Sequence, residues 1–154
     1  MENLREMFQI MIRRFGFLDK YCCSTGGYNI SLVQSHILYE IWRRPRQSIQ
    51  TISETLGIEM STFSRQIQTL VKMNLVKKSP SSDDGRVFVL SLTEEGKEVA
   101  DQIDDQMNSF LDDVFSRMSA FEKETVIHSI KLLNASMAQS DRCCSPVSCK
   151  QVKE

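Results

Sequence analysis

The sequence predicts a mainly helical protein with a single two-stranded β element. Apolar residues recur at spacings of three and four through most of the chain. Glycine and proline fall between those periodic runs. Two short β-prone runs, 75–78 and 87–92, stand on either side of one turn rich in Ser, Pro, Asp and Gly. With 154 residues the chain is expected to be one domain, long enough to bury a core. Its 41% hydrophobic and 25% charged residues are ordinary for a globular protein.

Each element has its own local cause. Leu4, Phe8, Met11, Phe15, Leu18 and Cys22 share one helical face, which predicts a first helix running to the end of that series. The paired glycines of "STGGYN" end it. Ser31 is the N-cap of a second helix through Trp42, with Leu32, His36, Leu38, Tyr39 and Ile41 around it, and Pro45 stops that helix. A short third helix covers 48–56, with Gly57 just beyond its end. The fourth lies in "MSTFSRQIQTLVKMNLVKK", over 61–73 before a short β-like run, and its Phe63, Ile67, Leu70 and Val71 form a buried stripe. A long fifth helix starts at Thr93, where "TEEG" puts acids in the first turn. Its Val99, Ile103, Met107, Phe110, Leu111, Val114, Phe115 and Met118 are placed on one face. A sixth covers 120–138, with Val126, Ile130, Leu133 and Met137 in register. The last residues, "DRCCSPVSCKQVKE", read as a tail.

The third and fourth helices with Gly57 between them have helix–turn–helix grammar: Ile52 and Leu56 pack inward, and the second helix presents its polar side chains. Hydroxyls, amides and Arg on that helix suit base edges and phosphates. Between Ser61 and Phe88 five cations (Arg65, Lys72, Lys77, Lys78, Arg86) face two anions (Asp83, Asp84), in a chain whose net charge is -1. That balance excludes a uniformly basic polyanion binder but leaves a local patch. A hairpin directly after such a helix makes a winged helix, and Arg86 at the turn's edge can reach a minor groove. An ion pair with Asp83 or Asp84 is the other role open to Arg86, and the two are compatible. The candidate DNA contacts are Ser61, Thr62, Ser64, Arg65, Gln66, Thr69, Lys72 and Arg86. An ordinary amphipathic surface helix, or a winged helix that binds only protein, is the competing reading.

At this point the sequence resembles the MarR family of bacterial transcriptional regulators. The segments that carry the resemblance are "ISETLGIEMSTFSRQIQTLVKMNLV" and "DDGRVFVLSLTEEG". Family wings usually read Asp-Arg-Arg and then a run ending in Leu-Thr-x-x-Gly. Asp84, Arg86, Leu92, Thr93 and Gly96 match, while Gly85 stands where the first Arg falls. The resemblance therefore implies one wing contact or internal ion pair fewer than usual. It covers residues 2 to about 140 in helix order. It implies a winged helix–turn–helix with a two-stranded wing and an interlocking helical dimerisation region. In that scheme 1–140 is a single domain, with dimerisation helices at 2–23 and 93–140 and the DNA-binding lobe at 31–92. Residues 141–154 are a Cys-containing tail. The implied function is a homodimeric, sequence-specific regulator that binds a palindromic operator on double-stranded DNA and acts as a repressor released by an effector.

The five cysteines raise the question of that effector. Cys22 and Cys23 are neighbours, as are Cys143 and Cys144, with Cys149 five positions on. Consecutive Cα atoms are about 3.8 Å apart, below the usual disulfide minimum of about 4.4 Å. Adjacent thiolates suit a thiophilic metal or arsenic(III) instead, with a third sulfur completing the site. Thiol oxidation sensing, a small organic ligand, and a packed or incidental role for the cysteines remain as alternatives. With no C-x-x-C and only His36 and His128, a structural zinc site fits poorly. His36 is expected to be packed or hydrogen-bonded, His128 to lie on the surface, and Tyr39 and Trp42 to pack in the core, with the crevice between the DNA-binding lobe and the dimer helices as the other place open to them. No phosphate loop, H-E-x-x-H or nucleophile elbow is present, so neither an enzyme nor an obligatory cofactor is expected. No apolar run reaches membrane-span length. "MENLREMF" lacks a secretory apolar segment, so a cytoplasmic location with reduced thiols is expected.

Overall fold

The computed structural model describes residues 3–140. The chain runs α1 (Leu4–Arg14), β1 (Cys23–Thr25), β2 (Tyr28–Ile30), α2 (Leu32–Arg43), α3 (Ile49–Leu56), α4 (Met60–Lys72), β3 (Val76–Pro80), β4 (Phe88–Leu92), α5 (Glu94–Ser116) and α6 (Ala120–Ala138). The mainly helical winged helix–turn–helix, with its two-stranded wing, is the fold that the sequence predicts. The strands of the wing pair antiparallel, with Val76 opposite Leu92 and Pro80 opposite Phe88. Each begins one residue later than its β-prone run.

Local signals account for most boundaries. Ser31 caps α2 through a complete capping box with Gln34, satisfying two otherwise unpaired amides. Ser48 caps α3 by accepting from the Thr51 amide at 3.0 Å. Gly57 ends α3 at φ 63, a left-handed conformation that costs glycine little. Ser119 and Glu122 form a second capping box at the start of α6.

The first helix departs from expectation. It ends at Arg14, not at Cys22. Gly16 adopts φ 74. The Gly16 amide bonds the Arg13 carbonyl at 3.0 Å, and the Phe17 amide bonds Ile12 at 3.2 Å. That pair of bonds is a Schellman stop built on a glycine inside the apolar periodicity. The break at Gly26 and Gly27 is also more than a helix end. Both have positive φ, and they connect β1 to β2 as a two-residue hairpin loop with Thr25 opposite Tyr28. Cys22 and Cys23 therefore lie at the entry to a β-hairpin rather than on a helix.

The core sits in one half of the molecule. Ile37 and Leu38 of α2, Ile52 of α3, Phe63 and Leu70 of α4 and Leu90 of β4 are fully buried together. Burial of each such side chain is worth about 1.5–3 kcal/mol. The start of α5 joins this core through Val99 and Ala100. By contrast, α1 and α6 contain no buried residue. Tyr39 and Trp42 are exposed, contrary to expectation, and stack on each other at 6.1 Å. Both lie outside the arc of α2 that Ile37, Leu38 and Ile41 turn into the core. His36 is likewise exposed rather than packed, and His128 is exposed as expected.

One joint ties the half-molecules together. After α4, Asn74 turns left-handed at φ 59. The amides of Asn74 and Leu75 close a second Schellman stop on Val71 and Leu70, each at 3.0 Å. The Leu75 carbonyl then accepts the Thr93 amide at 3.1 Å. The Thr93 hydroxyl donates to the Asn74 carbonyl at 2.7 Å and accepts the Gly96 amide at 2.8 Å as the N-cap of α5. Gly96 is pressed so close that a Cβ there would stand 1.9 Å from the Leu75 oxygen. Gly96→Ala is expected to destabilise the fold at the upper end of the roughly 1–3 kcal/mol typical of overpacking, or beyond it. A lower urea midpoint at constant m-value would show this, and an unchanged midpoint would contradict the packing described.

Candidate nucleic-acid interface

Helix α4 has one buried side and one open side. Phe63, Ile67 and Leu70 are buried and occupy about 60° of arc at 3.6 residues per turn. Val71, counted in the stripe from sequence, lies about 75° from its centre and is 42% exposed. Ser61, Thr62, Arg65, Thr69 and Lys72 are all exposed on the open side. Ser64 and Gln66 are half-buried at its margins. The Gln66 side-chain oxygen accepts a hydrogen bond from the Gln34 amide of α2 at 3.2 Å, so Gln66 partly serves the helix–helix contact.

Gln68 was missed from sequence. It is exposed, about 135° from the middle of the buried stripe. On a helical wheel it stands on the open side whether or not Val71 is counted in the stripe. Thr69 donates its hydroxyl to the Arg65 carbonyl at 3.1 Å. Arg65 itself has no ion pair among the described residues.

The wing carries the second cluster. The Asp84 carboxylate accepts the Arg86 backbone amide at 3.0 Å and stands 3.7 Å from its guanidinium. The pairing foreseen from sequence is therefore present, but it leaves the Arg86 side chain 95% exposed. A pair this open is worth little in stability, which leaves the guanidinium available to a phosphate. Lys78 lies 4.4 Å over the Phe88 ring, and Lys77 and Lys78 are both exposed on β3. Gly85 at the tip has nothing within 4 Å of where a Cβ would stand.

The cysteine pair lies apart from this surface. The Sγ atoms of Cys22 and Cys23 are 3.1 Å apart, and the Cys22 thiol reaches the Ile30 carbonyl at 3.5 Å. Cys22 is half-buried and Cys23 buried. Burial, then the hydrogen bond to Cys22, pushes the Cys23 thiol up to about 12. No group of three or more His, Cys, Asp or Glu able to hold a metal occurs among the described residues. Cys143, Cys144 and Cys149 lie outside the described residues.

The fold and the exposed helix define a winged helix–turn–helix protein. The MarR family profile matches residues 30–88. The chain is 33% identical over 76 residues to YwaE, an uncharacterised HTH-type transcriptional regulator of Bacillus subtilis strain 168, covering 49% of this chain and 44% of the relative. It thus spans less than half the length of that protein. A second regulator of the same bacterium, YwhA, also uncharacterised, is 26% identical over 123 residues, covering 75% of this chain and 88% of the relative. Streptococcus pneumoniae FabT, solved in complex with DNA, superposes with a TM-score of 0.77 at 16% identity, covering 87% of this chain and 94% of that one. The likeness to the MarR family is thus carried by residues 30–88, the segment that holds the helix–turn–helix and most of the wing.

The raised value at Cys23 predicts its reactivity. A thiol protonated up to about 12 carries on the order of 10³-fold less thiolate at pH 8 than an ordinary cysteine. Iodoacetamide at that pH is expected to label Cys23 far more slowly in the native chain than in urea. Equal rates, followed by peptide mass spectrometry, would contradict the buried placement.

Proposed function

We propose that the chain acts as a homodimeric, sequence-specific DNA-binding transcriptional regulator, a repressor released by an effector. The observation that carries the reading is the open face of α4, with hydroxyls, amides and Arg65 exposed beside a wing whose Arg86 stands clear of the protein. Two copies of α4 would enter successive major grooves, with half-site centres about 10 bp apart. Arg65 and Gln68 are the side chains best placed to read base edges. Ser61, Thr62, Ser64 and Thr69 add hydroxyl contacts, Gln66 offers its amide from the margin, and Lys72 and Arg86 hold the backbone.

The dimer rests on apolar surface that one subunit leaves open. Met7 and Met11 of α1, Phe15 just beyond it, and Phe110 and Val114 of α5 line a groove of about 470 Å³. On α6, Ile130 is 48% exposed and Met137 54%. A monomer rarely leaves this much apolar surface in water. A second copy of the same helices, related by a two-fold axis, covers it and gives the paired geometry that a palindrome requires. These faces fall within 2–23 and 93–140, the regions that the resemblance implies for dimerisation.

Fluorescence anisotropy on a selected palindromic duplex tests the reading. Arg65→Ala and Gln68→Ala are each expected to weaken specific binding by about 1–3 kcal/mol, with little effect on random duplex. Gln66→Ala should do less, since its oxygen already serves Gln34. Gly85→Arg should tighten binding and steepen its salt dependence by about one unit of slope. Unchanged affinity in the first two variants would remove α4 from the interface. Ile130→Glu is expected to yield monomers by sedimentation and to lose operator binding with them. A folded monomer that still bound the palindrome tightly would contradict the dimer.

A further inference from the structure

The structure joins two sulfur atoms to the end of α4 through a short chain of contacts. Cys22 precedes β1 and Cys23 opens it. Successive residues of a regular strand point to opposite faces, yet these two Sγ atoms converge to 3.1 Å. The β1–β2 hairpin is fastened to α5: Thr25 donates to Gln102, and the Tyr28 hydroxyl donates to Glu95. The other Glu95 oxygen accepts from the Asn74 side chain at 3.1 Å. Asn74 is the left-handed residue that ends α4. The Glu95 carboxylate thus bridges the cysteine hairpin and the C-terminal stop of the exposed polar helix.

We infer that Cys22 and Cys23 form a dithiol site for a trivalent arsenical, and that its capture lowers affinity for DNA through the Tyr28–Glu95–Asn74 bridge. The second half of this inference rests on the DNA-binding reading above.

The chemistry selects the ligand class. With soft-atom-to-sulfur bonds of about 2.3 Å, two sulfurs at a right angle about a pyramidal centre stand about 3.3 Å apart. Tetrahedral angles would need about 3.8 Å. The observed 3.1 Å lies nearer the pyramidal case. Charge points the same way. A divalent metal displaces thiol protons and puts thiolates into the hairpin, and burial at Cys23 opposes that. Condensation with an organoarsenic(III) oxide gives a neutral product. Two S–H bonds break, two As–S bonds form, and the arsenical oxygen leaves as water with both thiol protons. Arsenic stays trivalent and no electron is transferred.

Capture replaces the thiol–thiol contact and the Cys22 thiol's approach to the Ile30 carbonyl with a covalent bridge. The start of β1 must reshape around the arsenic atom. Tyr28, five residues on and in the paired strand, shares that hairpin. A ligand shifts an equilibrium only as far as it favours one state over the other. The usual range of such coupling corresponds to a roughly 5- to 150-fold loss of affinity.

The test uses the full chain with Cys143, Cys144 and Cys149 replaced by Ser, so that only the hairpin thiols remain. Phenylarsine oxide is the probe. Intact-mass spectrometry should show one adduct per chain, with a mass increase equal to the probe less one water. Cys22→Ser and Cys23→Ala in the same background should each abolish it. No adduct in the background, or an adduct surviving in both variants, would overturn the dithiol site. Anisotropy on the palindromic duplex then reads the coupling: affinity should fall about 5- to 150-fold with probe in the background and stay level with probe in Cys22→Ser. Glu95→Ala should keep the adduct and shrink the response. An adduct with undiminished DNA affinity would overturn the regulatory half. Failure to bind any duplex before the probe is added would instead refute the DNA-binding reading, while the mass result would still decide the capture.

Discussion

The Thr93 side chain holds this structure together at its narrowest point. One hydroxyl closes the end of α4 by donating to Asn74 and opens α5 by accepting from Gly96. The Thr93 amide meanwhile binds the Leu75 carbonyl at 3.1 Å. These bonds fix the angle between the exposed polar helix and the long helix that leaves the core. Gly96 is part of the same constraint, because the Leu75 oxygen occupies the space of any side chain. The Leu-Thr-x-x-Gly run is therefore a packing device as much as a helix start. Any displacement of α5 must move the stop of α4, and the wing between them, since β3 and β4 are the chain that links the two.

The second constraint is the uneven distribution of apolar burial. The lobe of α2, α3, α4 and the wing has its own core and its own caps. The helices at the other end are amphipathic, and α1 and α6 bury nothing. Phe15 finds only partial cover, stacking on Phe17 at 5.4 Å and meeting Phe110 edge-on at 5.8 Å. Those faces lie at the far end of α5 from the Thr93 joint. In the proposed dimer the geometry of the bare helices sets the separation of the two α4 helices, and α5 is the lever between them.

Much of this was legible in the sequence because the signals are local. Ser31, Ser48, Gly57 and Thr93 mark their helix ends by cap chemistry that acts within one turn. The six helices and the wing follow from periodicity and turn composition. What was missed depends on details that periodicity hides. Gly16 sits between Phe15 and Leu18 in an unbroken apolar series, so the series hid the stop after α1. The Gly26–Gly27 pair was read as a breaker, although two glycines between extended runs also suit a hairpin turn. Val71 is placed in the stripe by its spacing from Phe63, and that draws the centre of the stripe towards Gln68, so that Gln66 and Gln68 stand at similar distances from it. Tyr39 and Trp42 look like core residues by composition, and only the arc that α2 buries shows otherwise. The convergence of the two thiols could not be read at all, since it depends on Cys22 lying just outside the strand.

In the proposed function the open face of α4 reads DNA in pairs set by the joined helices. Hydroxyl-radical footprinting on a selected palindromic duplex is the decisive measurement. Two protected patches are expected on one face of the duplex, about 10 bp apart, with Arg65→Ala weakening both equally. A single patch, or uniform protection without a helical repeat, would contradict it.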